Sequence, residues 1–137
     1  MRKIIIASHY KLADGMKQTL EFIAGEQKNC VALSAYVNNN PIEDEISGII
    51  KDISKDDELI IFTDMLAGSV NQKFFPYKER LHTHIITGMN LPIILAIALS
   101  PESDYLTEDR IRTLISEAKD QLIYVNDINA EMSDDDE

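Results

Sequence analysis

Short unbroken apolar runs alternate along this chain with longer segments in which an apolar residue returns every third or fourth position. The runs read as strands buried on both faces, as a parallel sheet requires, and the spaced segments as amphipathic helices. Residues 3–8 (Lys-Ile-Ile-Ile-Ala-Ser) form the first strand, and Leu12, Met16, Leu20 and Ile23 follow at helical spacing, with Gly25 as the stop. Residues 30–37 form a second strand. Asn40 then caps a helix with Pro41 at its first position and Glu43 completing a capping box. Ile42, Ile46, Ile49, Ile50 and Ile53 mark the inner face of that helix. Residues 58–63 are a third strand, ending at Asp64. The small-residue turn Ala67-Gly68-Ser69 opens a helix that Pro76 ends or kinks. Residues 82–87 are the fourth strand, and Pro92 starts a short helix after the turn Gly88-Met89-Asn90. Thr107 caps a further helix, stapled by Leu106 and Ile111, with Ile111, Leu114, Ile115 and Ala118 facing inward. Residues 121–127 (Gln-Leu-Ile-Tyr-Val-Asn-Asp) read as a final strand.

This alternation predicts a doubly wound α/β fold: one open, mainly parallel sheet with helices on both faces. Residues 1–130 are expected to form a single domain, followed by an acidic, disordered tail over 131–137. In such sheets ligands bind beyond the carboxyl ends of the strands, where the strand order reverses. With the order 2-1-3-4, that crevice lies between the first and third strands. The first ends at Ser8-His9 and the third at Thr63-Asp64, so the two most chemically capable residues of the chain meet there.

Composition narrows the class. With 137 residues, 45% of them hydrophobic, the chain can bury a core without a metal or disulfide staple. Its one cysteine, Cys30, excludes an intramolecular disulfide and reads as a reduced structural thiol of a cytoplasmic protein. The apolar run after Met1-Arg2-Lys3 stops at Ser8-His9, too short for a secretory signal, and 91–99 is about half of a membrane span. The formal charge is −11, and five of the 24 acidic residues fall in the last seven positions. The remainder is still acidic, which argues against nucleic acid and anionic membranes and favours a basic protein partner.

His9 is the first chemical candidate. An imidazole whose Nδ1–H is held by a carboxylate presents Nε2 as a nucleophile, with tautomer and ring orientation set, and Asp64 would supply that carboxylate. Gly68 and Ser69 are candidate phosphate-binding residues, because small residues let backbone approach an anion and a helix start offers free N–H groups. Alone, a Gly-Ser turn before a helix is usually just a cap. Lys11 reads as a solvated lysine. His82 and His84 alternate on one face of the fourth strand, but no third ligand stands at metal spacing, so they read as structural or surface residues. Tyr10 and Met65 fit either core filler or the rim of a docking surface.

These residues resemble a known family. Ile4-Ile5-Ile6-Ala7-Ser8-His9 is similar to the first strand and phosphorylated histidine of IIA components of the mannose-type sugar phosphotransferase system. Phe62 to Ser69 resembles the family's aspartate-x-x-glycine-glycine-serine segment, and Gly88-Met89-Asn90-Leu91-Pro92 its glycine-x-asparagine-[Leu/Ile]-proline turn. The resemblance implies that His9 takes a phosphoryl group from the carrier HPr and gives it to a IIB component. It also implies that Asp64 holds the other ring nitrogen, and that Gly68 and Ser69 receive the phosphoryl oxygens. It implies no metal or organic cofactor, contact with the membrane only through IIC and IID partners, and a homodimer in which the strand at 121–127 is exchanged.

Three positions depart from the family pattern: Tyr10 replaces a glycine, Ala67 the first glycine of the pair, and Val70 a frequent proline. The anion turn survives at Ala67 if its φ is negative. Two other readings use the same sheet. The phosphoryl-donor subunit of a dihydroxyacetone kinase would use the same histidine. A receiver domain would need an acidic pair where Ser8-His9 stands to hold magnesium.

Overall fold

The computed structural model describes residues 1–129; the acidic segment 131–137 lies outside the described residues. Four parallel strands form one sheet in the order β2-β1-β3-β4: β1 Arg2–His9, β2 Cys30–Ala35, β3 Glu58–Thr63 and β4 Thr83–Thr87. The helices are α1 Leu12–Ala24, α2 Ile42–Ile50, α3 Ser69–Phe74, α4 Leu91–Ala98 and α5 Glu108–Lys119.

Side-chain alternation along the strands divides the core in two. Ile4, Ile6, Ile60, Phe62 and Ile86 face α1, α4 and α5, while Ile5, Ala7, Leu33, Leu59 and Ile61 face α2 and α3. A strand covered on both faces must be apolar at every position, which is why β1 and β3 read as unbroken runs. Cys30 is buried in the first of these layers, and burial pushes its thiol up to about 11, so it stays protonated as a packing group.

The helix ends show which local signals operate. Asn90 accepts from the Ile93 N–H at 3.0 Å and Thr107 from that of Arg110 at 3.1 Å, both as ordinary caps. Pro76 follows the end of α3 and lies within a 3₁₀ turn, Phe75–Glu79. Around α2 the expected capping box does not form. Pro41 occupies the cap position with its carbonyl receiving the Asp44 and Glu45 N–H groups, and Glu43 pairs with Lys73 of α3 at 2.5 Å. The Asn40 N–H that the box would use donates instead to Asn38 Oδ1 at 2.9 Å, which leaves the Glu43 carboxylate to Lys73.

Two further expectations are corrected. Residues 121–127 are not a strand in this chain: a turn leads into the 3₁₀ segment Val125–Asp127, and the Asp127 and Ile128 N–H groups bond locally to Tyr124 and Val125 carbonyls. A strand exists only by pairing, and this segment is paired with no strand of its own chain; Leu122 is 90% exposed and Val125 70%. His82 precedes β4 rather than belonging to it. Its φ is 56° and its ring stacks on Tyr105 at 3.7 Å, while His84 Nε2 lies 3.2 Å from the Leu106 carbonyl. The two histidines thus serve the packing of the 105–106 loop.

At the amino ends of the strands a buried ion pair closes the sheet. Arg2 Nε meets Glu58 Oε1 at 2.5 Å, and the guanidinium also donates to the carbonyls of Ser100 and Pro101. Both side chains are nearly inaccessible, so removing one partner would strand a buried charge.

Candidate functional site

The opposite end of the sheet holds the candidate site residues. β1 and β3 are adjacent and in register, so their carboxyl ends project His9 and Asp64 to the same point. A turn must then lift the chain from β1 into α1. Ser8, fully buried, accepts the Ala13 N–H at 2.7 Å and lies 3.1 Å from the Tyr10 carbonyl, to which its hydroxyl donates. Ser34, at the end of β2, accepts the Asp14 N–H at 3.3 Å. These two serines satisfy first-turn donors of α1 that have no intrahelical acceptor. His9 is therefore held from both sides of its own backbone.

Asp64 completes the grip. Its Oδ2 accepts both the His9 backbone N–H and Nδ1, each at 2.8 Å, and its Oδ1 accepts the Met65 N–H at 3.0 Å. Burial pushes the carboxyl upward, but the hydrogen bonds from the His9 backbone and ring outweigh it, and the group is held below its ordinary range. An ionised carboxylate can only accept, so the proton of the neutral ring resides on Nδ1 and the lone pair on Nε2. The Asp64 side chain is 8% exposed and that of His9 33%, so the carboxylate is inside and the imidazole faces out.

The turn after β3 closes against the ring. A β-carbon at Gly68 would lie 2.8 Å from Cε1 of His9 and 3.3 Å from the Met65 carbonyl, so only glycine admits the imidazole this closely. Ser69 Oγ stands 3.4 Å from Nε2 and opens α3, whose first-turn N–H groups lack intrahelical acceptors. All four residues expected from the sequence, His9, Asp64, Gly68 and Ser69, thus come together.

Ala67 is absent from the positive-φ residues, which meets the condition for keeping the turn. Tyr10 is among them, with φ 55°, in a backbone region that glycine occupies freely. That is the physical reason for a glycine preference at this position. Tyr10 and Met65 are both more than half exposed, so they form rim and not core. The Lys11 ammonium lies 5.4 Å from the Tyr10 ring centroid.

A match to the family model of the PTS system fructose IIA component extends over residues 3–114. The chain belongs to this mannose-type IIA family. Among solved structures, a phosphoenolpyruvate-dependent sugar phosphotransferase system permease from Klebsiella pneumoniae is 34% identical, with TM-score 0.85 and 92% of each chain covered. The IIA protein of a fucose utilization operon in Streptococcus pneumoniae shares the fold at 24% identity and TM-score 0.76, over 91% of this chain and 93% of that one. So does the mannose/sorbose-specific IIA subunit of Enterococcus faecalis, at 17% identity and TM-score 0.75, over 93% and 96%. As a IIA component, this protein has the family's phosphocarrier role in sugar transport, and no helix among the described residues is long and apolar enough to cross a membrane.

Two residues of this candidate site in the IIA component were not singled out by the sequence. Tyr36, just past β2, places its hydroxyl 2.5 Å from Ser69 Oγ and its ring centroid 5.7 Å from that of His9. Asn71 is buried; it accepts from the Thr63 hydroxyl at 2.9 Å and donates to the Leu66 carbonyl at 3.0 Å, clamping the turn to β3. Asn71→Ala would leave the buried Thr63 hydroxyl without this partner, a loss of about 1–3 kcal/mol. Chemical denaturation is expected to show that loss, and an unchanged midpoint would mean the clamp is dispensable.

Proposed function

We propose that His9 is the phosphoryl-carrying residue: Nε2 takes the group from phosphorylated HPr and passes it to a IIB component in sugar uptake. The observation that carries this reading is the 2.8 Å bond between Nδ1 and Asp64, which leaves the Nε2 lone pair outward beside Gly68 and Ser69. In the forward step the lone pair forms an N–P bond as the N–P bond of the donor histidine breaks, its electron pair returning to the donor imidazole. The positive charge that develops on the His9 ring is offset by Asp64. Negative charge on the metaphosphate-like group is met by the Ser69 hydroxyl and the amides around it. Two histidines exchange the group at similar energy, so positioning supplies most of the catalysis. The test is incubation with HPr and its phosphoryl source, followed by intact-mass measurement. A gain of one phosphoryl group, discharged on adding IIB, is expected; no gain overturns the assignment.

The partners follow from the surface. Tyr10, Met65 and Leu66, which follow His9 and Asp64 in sequence, are exposed and offer apolar contact area, and the acidic chain favours a basic carrier. The same reading makes the protein a cytoplasmic homodimer. β4 is an edge of the sheet, and Thr87 within it has a buried hydroxyl with no hydrogen-bond partner among the described residues. Leu122, Ile123, Tyr124 and Val125 lie exposed on one segment, an apolar stretch suited to pairing with a second copy. Truncation after Ala130 is expected to change little, whereas truncation before Gln121 is expected to give aggregated or unstable protein by light scattering. A soluble, folded monomer from the longer deletion would remove this segment from the interface.

A further inference from the structure

We propose that Tyr36 is a positioning residue for phosphoryl transfer, acting through the hydroxyl of Ser69; this rests on His9 being the carrier. The argument starts from hydrogens. With Nδ1 protonated toward Asp64, Nε2 can only accept, so the 3.4 Å contact from Ser69 Oγ to Nε2 is a hydrogen bond only if Ser69 donates. Serine has one hydroxyl hydrogen. The 2.5 Å bond between Ser69 and Tyr36 is then donated by Tyr36. The result is a one-way chain, Tyr36 O–H to Ser69 Oγ, and Ser69 O–H to Nε2.

That chain does two things during transfer. It holds Ser69 Oγ beside the ring, so the hydrogen pivots from Nε2 to a phosphoryl oxygen as the N–P bond forms, with no proton changing owner. Accepting from Tyr36 also polarises the Ser69 hydroxyl and strengthens its donation to the incoming charge. The backbone supports a functional reading of Tyr36. Its φ is 67°, a left-handed conformation that is strained for a residue other than glycine. The residue is more than half exposed, so core packing does not hold it there. What the strained position secures is the hydroxyl on Ser69 and the ring near His9.

The test measures single-turnover transfer from phosphorylated HPr in four proteins: wild type, Tyr36→Phe, Ser69→Ala and the double variant. Tyr36→Phe keeps the ring and removes only the donor, and it is expected to slow transfer about 3–10-fold. In the Ser69→Ala background the same change is expected to have no further effect, since there is no hydroxyl left to direct. Tyr36→Gly relieves the positive φ, so it should hold or raise Tm while slowing transfer at least as much as Tyr36→Phe. The inference is overturned if Tyr36→Phe transfers at the wild-type rate, if it slows both backgrounds equally, or if Tyr36→Gly keeps full activity. Wild-type protein that takes no label overturns the reading of His9 and this inference together; a labelled wild type with an indifferent Tyr36→Phe overturns this inference alone.

Discussion

His9→Ala is expected to abolish phosphoryl labelling by HPr altogether, while the protein folds normally. The side chain is one-third exposed, and its deletion opens no core cavity. The fold keeps its anchors there, because Ser8 and Ser34 still hold the start of α1 and the residue-9 backbone N–H still reaches Asp64. The remaining histidines are poor substitutes: His82 is stacked on Tyr105 and the His84 ring is engaged by the Leu106 carbonyl, and among the described residues neither has a carboxylate holding its other nitrogen. Phosphohistidine mapping with intact mass checks the result. Labelling of His9→Ala at the wild-type level would place the acceptor elsewhere.

Asp64→Asn should slow transfer by about 10²-fold or more without unfolding the protein. The amide is isosteric, but it can turn its NH₂ toward Nδ1. The ring would then carry its proton on Nε2, where the nucleophilic lone pair is required. Even with its oxygen toward the ring, the amide supplies no negative charge to the imidazolium formed after attack. Stopped-flow or quench kinetics of the folded variant provide the measurement, and wild-type rates would dissolve the pair. Divalent cations and chelators should leave both rates unchanged; a strict magnesium requirement in this step would point instead to receiver-type chemistry.

The same pair sets a pH signature. The folded-state Asp64 carboxyl is held below the value of about 3.9 found in unfolded chains. A depressed carboxylate contributes stability that is complete above the unfolded value and is lost as pH falls through the lower folded one. The stability difference between wild type and Asp64→Asn should therefore persist through neutral and mildly acidic pH and shrink only in strong acid. Denaturation at several pH values checks the sign.

Much of this molecule is written in its local pattern. The run Ile4-Ile5-Ile6-Ala7 could only be a strand covered on both faces, and the isoleucine spacing from Ile42 onward only a helix with one buried side. Once those elements are chained by parallel crossovers, His9 and Asp64 fall at adjacent strand ends, which is why the central pair was legible before any coordinates. Periodicity reports how each element is buried, and it says nothing about which side chains meet across elements. Glu43 satisfied the capping-box pattern, yet Lys73 lay within reach on another helix and took the carboxylate. The apolar stretch at 122–125 has strand character, but a strand needs a partner backbone, and none of the described residues supplies one. Tyr36 lies 33 residues before Ser69, and although Asn38-Asn39-Asn40-Pro41 marks a turn after β2, nothing local says which side chain that turn aims at Ser69; its hydroxyl reaches the site only through the register of β1 on β2 and the docking of α3. The sequence by itself determined the four strands of the sheet, the helices and the histidine–aspartate pair, because burial patterns and strand ends are local. Tertiary structure alone decided the Tyr36–Ser69 link, the Asn71 clamp and the close fit of Gly68 against the imidazole, because each depends on distances that exist only after the sheet and helices have packed.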